Sequence, residues 1–277
     1  MSNKGYIIYF LLACIALACT RKSKPLGQIR GTVLIAGFAK DGIILAADSR
    51  VSIYETADKS NGPMASIDSF QKIYKINGYP FATSGIGNFG NKFFYSVVED
   101  FNKVKSKPIS PTVSLHKFID FIKLNYPTYS DKILSTNEFI VIGYDNKIPI
   151  IATIAPYIDT TMNSDVLLTT DDNITKDFNY DTSMTCSEMA IMIKKGIDSY
   201  TEDPKIEKVV GGPITILEFL KKSNKPKYIQ NDFTNRQFKD VSDLINSIES
   251  NKITVNYYVP NGKSRLIYTL KMDINQK

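Results

Sequence analysis

Two apolar runs on either side of one charged turn constrain this chain more than any other feature. Val33 to Phe38 and Gly42 to Ala47 carry no charge and flank Lys40-Asp41. A strand that is apolar at both alternating sets of positions needs cover on both faces, so these runs predict strands inside a layered core. Further short strands are predicted at Lys72–Asn77 and Pro80–Ser84 around Gly78, and at Glu138–Gly143 and Lys147–Ile154 around Asp145-Asn146. Another runs from Ile214 to Phe219 behind Gly211-Gly212-Pro213. The polar stretch from Ile53 to Ser66, with Asn61-Gly62-Pro63, reads as a loop.

Helical spacing appears between the strands. Phe89, Phe93, Phe94, Val97, Val98, Phe101 and Val104 fall on one face, and Leu115, Phe118, Ile119 and Ile122 repeat the pattern after Pro111. Thr185-Cys186-Ser187-Glu188 has the form of a capping box opening a helix through Met189, Ile193 and Ile197. Phe238 to Ile248 predicts one more helix, and Asn261-Gly262 predicts a closing hairpin of Ile253–Val259 with Ser264–Leu270. Apolar strands alternating with such helices predict an α+β fold, with two central sheets flanked by helix layers. A chain of 277 residues suffices for one large domain or two small ones.

The N-terminus differs in kind. Lys4 precedes an apolar run from Tyr6 to Ala18, which meets Cys19-Thr20-Arg21-Lys22. The run falls short of the ~20 apolar residues that a spanning helix needs, and reads instead as an export signal. Leu17-Ala18-Cys19 is similar to a bacterial lipoprotein signal, in which Cys19 would be lipidated and anchor the chain to the membrane until maturation. The expected organisation is a signal at 1–19, a linker or propeptide at 20–31, and one domain at 32–277. The localisation that follows is the cell envelope, or the cytoplasm if the first segment is only a propeptide.

With Cys14 and Cys19 in the signal, Cys186 stands alone, so no disulfide, zinc spacing, metal or cofactor is expected. The net charge of +6 is scattered as single lysines, against the clustered basic face that nucleic-acid binding would require. His116, between Leu115 and Lys117 on an amphipathic helix, reads as a surface residue.

The chemistry gathers around Thr32, directly behind Gly31. A threonine hydroxyl is a poor nucleophile until a base activates it. If the chain were cut between Gly31 and Thr32, Thr32 would hold a hydroxyl and an α-amine of pKa ~8 on one residue. Lys72, heading a strand, would disfavour the ammonium form of that amine, and Asp48 would fix the lysine. Lys75 should face the other side of the same strand. Backbone N–H groups at Gly85, Ile86 and Gly87, where a strand leads into a helix, would hold an oxyanion. Arg50 and Glu207 read as supporting ion-pair members.

These residues resemble the catalytic β-subunits of the proteasome and of its bacterial relative, within the N-terminal-nucleophile (Ntn) hydrolase superfamily. The family's Gly-Thr start matches Gly31-Thr32. Its KDG-(apolar)-AADSR block matches Lys40 to Arg50, with the aspartate sixteen residues after the threonine. Its K-[VI]-x-x-I strand matches Lys72 to Ile76, its glycine-rich turn matches Gly85 to Gly87, and its helix before Gly-Gly matches Thr185 to Gly212. The resemblance implies a four-layer αββα sandwich, self-cleavage before Thr32, a threonine-type peptidase or amidase acting on a peptide or amide substrate, and a homo-oligomeric ring. Family positions also assign Val51, Phe70 and Ser84 to the pocket lining.

The chain departs from the pattern in several places. The stretch from Val51 to Phe70 is longer, Glu207 replaces an aspartate, Val210 replaces a supporting serine, and Asn163 to Asp172 lacks a Gly-Ser-Gly turn. Two other readings therefore stay open. One is a non-catalytic lipoprotein of the same fold serving as scaffold or binding module, and the other is an Ntn amidase acting on a small envelope amide.

Overall fold

The Lys40-Asp41 turn closes the expected hairpin, with Ala39 opposite Gly42, and both strands are buried along their whole length. A side chain at Gly42 would begin 2.7 Å from the Phe219 carbonyl oxygen, so glycine is what lets the next strand lie this close. The computed structural model describes residues 28–31, 33–55, 62–68, 70–104, 110–164, 166–171, 173–174, 178–223, 225–230 and 237–275, with backbone alone at 28, 31, 207 and 272–275.

In chain order the strands before the first helix are β1 (Gln28–Gly31), β2 (Leu34–Ala39), β3 (Gly42–Asp48), β4 (Val51–Tyr54), β5 (Ala65–Ile67), β6 (Ile73–Ile76) and β7 (Tyr79–Ile86). A small hairpin of β8 (Asn88–Phe89) and β9 (Lys92–Phe93) leads into α1 (Phe94–Lys103), α2 (Pro111–Asn125) and α3 (Pro127–Leu134). Then come β10 (Glu138–Asp145), β11 (Ile148–Ala155), β12 (Ile158–Met162), β13 (Leu167–Thr169), α4 (Cys186–Tyr200) and α5 (Pro204–Glu207). The described chain closes with β14 (Ile214–Leu220), β15 (Lys227–Gln230), α6 (Val241–Glu249), β16 (Val255–Tyr257) and α7 (Gly262–Asn275).

The result is a mixed α+β fold with two large antiparallel sheets. One sheet runs β13-β2-β3-β14-β15, and the other runs β12-β11-β10-β7-β1-β4-β5-β16 with β6 also paired to β7. Leu34, Ala36 and Leu45 of the first sheet share an apolar cluster with Ala82, Ile140 and Ile151 of the second, so the sheets pack face to face. Phe94, Val97, Phe118 and Ile122 of α1 and α2 cover Phe81 and Phe139 of the second sheet. Met189, Ile193 and Ile197 of α4 cover Ile35, Ile44 and Ile216 of the first. A third cluster sets Val241, Leu244 and Ile248 of α6 and Leu266 and Leu270 of α7 against Ile29, Ile53 and Ile67 of β1, β4 and β5. Each fully buried aliphatic side chain of this kind contributes ~1.5–3 kcal/mol, which is why a layered arrangement wins over isolated elements.

Local signals place α4 well. Thr185 accepts from the Glu188 N–H at 3.3 Å while Glu188 accepts from the Thr185 N–H at 2.8 Å, the reciprocal capping box. Other expectations need correction. Ile53 to Ser66 is not loop throughout, because Ile53-Tyr54 end β4 and Ala65-Ser66 open β5, and the two strands pair. Their inward residues are buried, and the polar stretch between them hid the hairpin. Phe89 and Phe93 belong to the β8–β9 hairpin rather than to helix α1. Ser264–Leu270 is helix, not strand: Leu266 and Leu270, four apart, are buried while Tyr268 is exposed, and this helical period overrides the hairpin signal of Asn261-Gly262. The stretch expected as linker or propeptide contributes strand β1 at its end. Thr32, the signal with Cys19, and residues 20–27 lie outside the described residues.

Candidate functional site

Asp48 ends β3 inside the molecule, where an ionised carboxylate needs partners on every side. It has them. Oδ1 accepts from the Val33 N–H at 3.0 Å and from Lys72 Nζ at 2.7 Å, and Oδ2 accepts from the N–H groups of Arg50 at 3.2 Å and Gly211 at 3.1 Å. Four donors from four separate stretches of chain therefore converge on one side chain. Asp48 and Lys72 are both buried, and Lys72 gives a second hydrogen bond to the Arg50 carbonyl at 2.5 Å. Burial pulls the Lys72 ammonium below the usual lysine range, and the attraction of Asp48 pushes back. Lys75, three residues on, is exposed.

Arg50 turns away from this pair. Its guanidinium makes a two-point ion pair with Asp68, Nε to Oδ1 at 2.5 Å and Nη2 to Oδ2 at 2.8 Å, while its N–H also reaches the Gly211 carbonyl at 3.0 Å. The Gly211-Gly212 corner is thus fastened to β3 through both Asp48 and Arg50. Asp68 carried no spacing signal in the sequence and was not foreseen. The backbone of Glu207 ends α5, and its side chain lies outside the described residues. Val210 is buried among Ile214 and Ile206.

The glycine-rich turn divides into unequal parts. The Ile86 N–H donates to Asn137 Oδ1 at 3.0 Å, and the Gly87 N–H donates to the Ile29 carbonyl at 2.8 Å. Gly85 remains, and it stands directly opposite Gly31 in the β1–β7 ladder. Its φ of +98° suits glycine, and a side chain there would begin 2.7 Å from the Thr136 carbonyl oxygen. Asn137, fully buried, also donates from Nδ2 to the Ile86 carbonyl at 2.9 Å and to Thr83 Oγ1 at 3.3 Å. It staples the end of β7. A single asparagine at a helix-to-strand junction gives no pattern to read, so sequence reasoning missed it.

Thr32 itself lies outside the described residues, but both neighbours are described. Gly31 pairs with Val51 on one side and Gly85 on the other, and Val33 is held by Asp48. Val51, Phe70 and Ser84 line a cavity of about 30 Å³ with Lys72, Thr83 and Gly85. Phe93 and Phe238 close its far wall, Phe238 lying 4.7 Å from Phe70 between ring centroids. Cys186 and His116 stand elsewhere. Cys186 is buried, with its thiol pushed well above the usual range by burial and by Asp41, and His116 is exposed beside Asp159. Among the described residues no group of three or more His, Cys, Asp or Glu side chains could hold a metal ion.

No family model and no curated protein matches this chain. Solved structures do. The Anbu (Gly-1) mutant from Hyphomicrobium sp. strain MC1 superposes with a TM-score of 0.50 at 17% identity, over 73% of this chain and 89% of that one. The helical assembly of the Anbu complex from Pseudomonas aeruginosa gives a TM-score of 0.51 at 15% identity, over 73% and 87%. Likeness at this level of identity carries the fold alone. It also corrects the resemblance drawn from the motifs: the matching structures are Anbu proteins, which are proteasome-related but not typical proteasome β-subunits. The chain has a proteasome-like fold of the kind Anbu proteins have.

Proposed function

We propose that this protein is a threonine-type amide hydrolase on an Anbu-like, proteasome-related fold, activated by a cut between Gly31 and Thr32. The observation that carries the proposal is the buried Asp48–Lys72 pair gripping the Val33 N–H, one residue past Thr32. In this reading Thr32 Oγ is the nucleophile. Maturation breaks the Gly31–Thr32 amide with one water consumed, so that Gly31 leaves as a carboxylate and Thr32 gains a free amine. That amine then serves as the base, with Lys72, its ammonium form weakened by burial, tuning it and Asp48 orienting the lysine. The oxyanion role expected of three N–H groups narrows to Gly85, which stands opposite Gly31, whose carbonyl belongs to the bond cut, whereas Ile86 and Gly87 face Asn137 and Ile29. Two face-to-face sheets with helices packed outside them are what a four-layer αββα sandwich requires.

Reading the N-terminus of the purified protein by mass spectrometry tests this. A mature chain starting at Thr32, abolished by Thr32→Ala, is the expected result. A start upstream of Gly31 that Thr32→Ala leaves unchanged sinks it. The same spectrum reports whether Cys19 carries a lipid, an event whose anchor the cut would sever.

One observation favours a second reading. Val210 puts an apolar, buried side chain where the motif pattern has a serine, as a non-catalytic scaffold would tolerate. Peptide and small-amide substrates assayed in parallel separate peptidase, amidase and scaffold. The Anbu complex of Pseudomonas aeruginosa is a helical assembly. We extend self-association to this chain, and light scattering of the purified protein is its check.

A further inference from the structure

Asp68 marks the place where the long stretch between Val51 and Phe70 comes back to the site. Within that stretch β4 and β5 form a hairpin, and β5 pairs on its other edge with β16. Ser66 of β5 also shares a hydrogen bond of 2.7 Å between its hydroxyl and that of Tyr258. Asp68 follows directly on β5, and two residues later the Phe70 N–H donates to the Ser49 carbonyl at 2.9 Å. The C-terminal strand thus braces the chain before Asp68, and the end of β3 ties down the chain after it.

The group it meets is a cation with little access to water. The Arg50 side chain is 10% exposed and that of Asp68 30%, so the arginine depends more on the pair than the aspartate does. Their two-point contact lies against bare backbone. A side chain at Gly211 would begin 3.2 Å from the guanidinium carbon, and one at Gly212 would begin 3.0 Å from the Asp68 carboxyl carbon and 2.8 Å from Ser49 Oγ. Both glycines have positive φ, +138° and +69°, so this corner can approach the ion pair only without side chains. The corner in turn reaches the reactive pair, because the Gly211 carbonyl accepts from the Arg50 N–H and the Gly211 N–H donates to Asp48. Charge carries the same link. Burial pulls the Lys72 ammonium down, Asp48 and then Asp68 push it back up, and Arg50 opposes them.

Resting on the reading that Thr32 is the nucleophile, we propose that Asp68 is a positioning residue of this site. Its charge, acting through Arg50, holds the Gly211-Gly212 corner against Asp48. That corner supplies one of the four donors that fix the Asp48 carboxylate, which in turn orients Lys72 and grips the Val33 N–H. Without the charge at Asp68, the Arg50 cation stands unbalanced beside Lys72 and the corner loses its clamp.

Two substitutions separate charge from shape. Asp68→Asn keeps the shape and loses the charge, whereas Asp68→Glu keeps the charge with one methylene added. In full-length Thr32→Ala protein, which cannot be cut, amide hydrogen exchange read by mass spectrometry reports the corner apart from hydrolysis. Asp68→Asn should speed exchange at Gly211 about tenfold or more and leave β10 unchanged, and Asp68→Glu should stay close to the parent. With Thr32 intact, the uncut chain made by cell-free synthesis should mature about tenfold or more slowly in Asp68→Asn, and Asp68→Glu should restore most of the rate. A role in filling space alone would give the opposite order, with the asparagine better than the glutamate, and would overturn the proposal. So would an unchanged Gly211, or faster exchange spread equally over β10. A parent that is never cut, with Gly211 still responding to Asp68→Asn, removes the hydrolase and leaves the clamp. A parent that matures, with an Asp68→Asn variant that matures equally fast, does the reverse.

Discussion

The stretch from β1 into Val33 runs between two unlike walls. On the polar side Asp48, Lys72, Arg50 and Gly211 meet through directional bonds of 2.5 to 3.2 Å, with little freedom to rearrange. On the apolar side Val51, Phe70, Phe93 and Phe238 meet through shape alone. Loss of one polar member strands its partners as buried, unsatisfied groups, whereas loss of one aromatic leaves a space that neighbours partly refill. In the proposed reading, the polar wall sets where a reacting group sits, and the apolar wall sets what can sit beside it.

The largest expected effect tests the polar wall. Asp48→Ala leaves Lys72 buried without its counter-charge and removes the acceptor for three N–H groups, so unfolding should become easier by about 3–5 kcal/mol and no mature N-terminus should form. Denaturant unfolding with mass spectrometry reads both. A variant as stable as the parent would show that the pair is dispensable. Phe238→Ala should cost about 3 kcal/mol in the same unfolding experiment while leaving the chain cut at the same bond, since its ring contacts are with Phe70 and Phe93. If it shifts the cut site, the two walls are not independent.

Asn137→Ala probes the seam between the walls. It strands the Ile86 N–H and carbonyl and should cost about 1–3 kcal/mol, with any loss of turnover falling on kcat rather than KM. Cys186 serves as a control away from both walls. Its buried thiol, held well above the usual range, should resist iodoacetamide in the folded protein and react once denaturant is added. The smallest effect belongs to an exposed counterpart of the buried pair. Lys103 first, then Lys92, hold the Asp100 carboxyl down at about 2, against an ordinary value of 3.8. That contribution is fully present above pH 3.8 and lost as pH falls toward 2, so parent and Asp100→Asn should differ slightly at pH 6, less in high salt, and converge in acid.

The same contrast explains what the sequence disclosed. The β2–β3 hairpin was legible because both strands and their turn lie within fifteen residues, and the Thr185–Glu188 box because its two halves are one helical turn apart. Asp48 and Lys72 were paired on the chemistry the site would need and on the motif resemblance, and their side chains do meet. The apolar wall was not legible: Ile29, Phe93 and Phe238 are scattered over the chain, and no local pattern announces that they share a cluster. Asp68 and Asn137 were missed for a related reason, since each acts through one long-range bond pattern and lacks a periodic neighbour. At the C-terminus the Asn261-Gly262 turn signal was taken for a hairpin, whereas Leu266 and Leu270 sit one helical turn apart.

The position of β1 has a mechanical side. In the larger sheet β7 and β4 are joined through β1, so its departure leaves one leaf of β12, β11, β10, β7 and β6 and another of β4, β5 and β16. Four residues are the seam between two leaves. Amide hydrogens on β4 that face β1 can exchange with solvent deuterium only when that seam opens, which makes their exchange rate a clock for how long the segment stays.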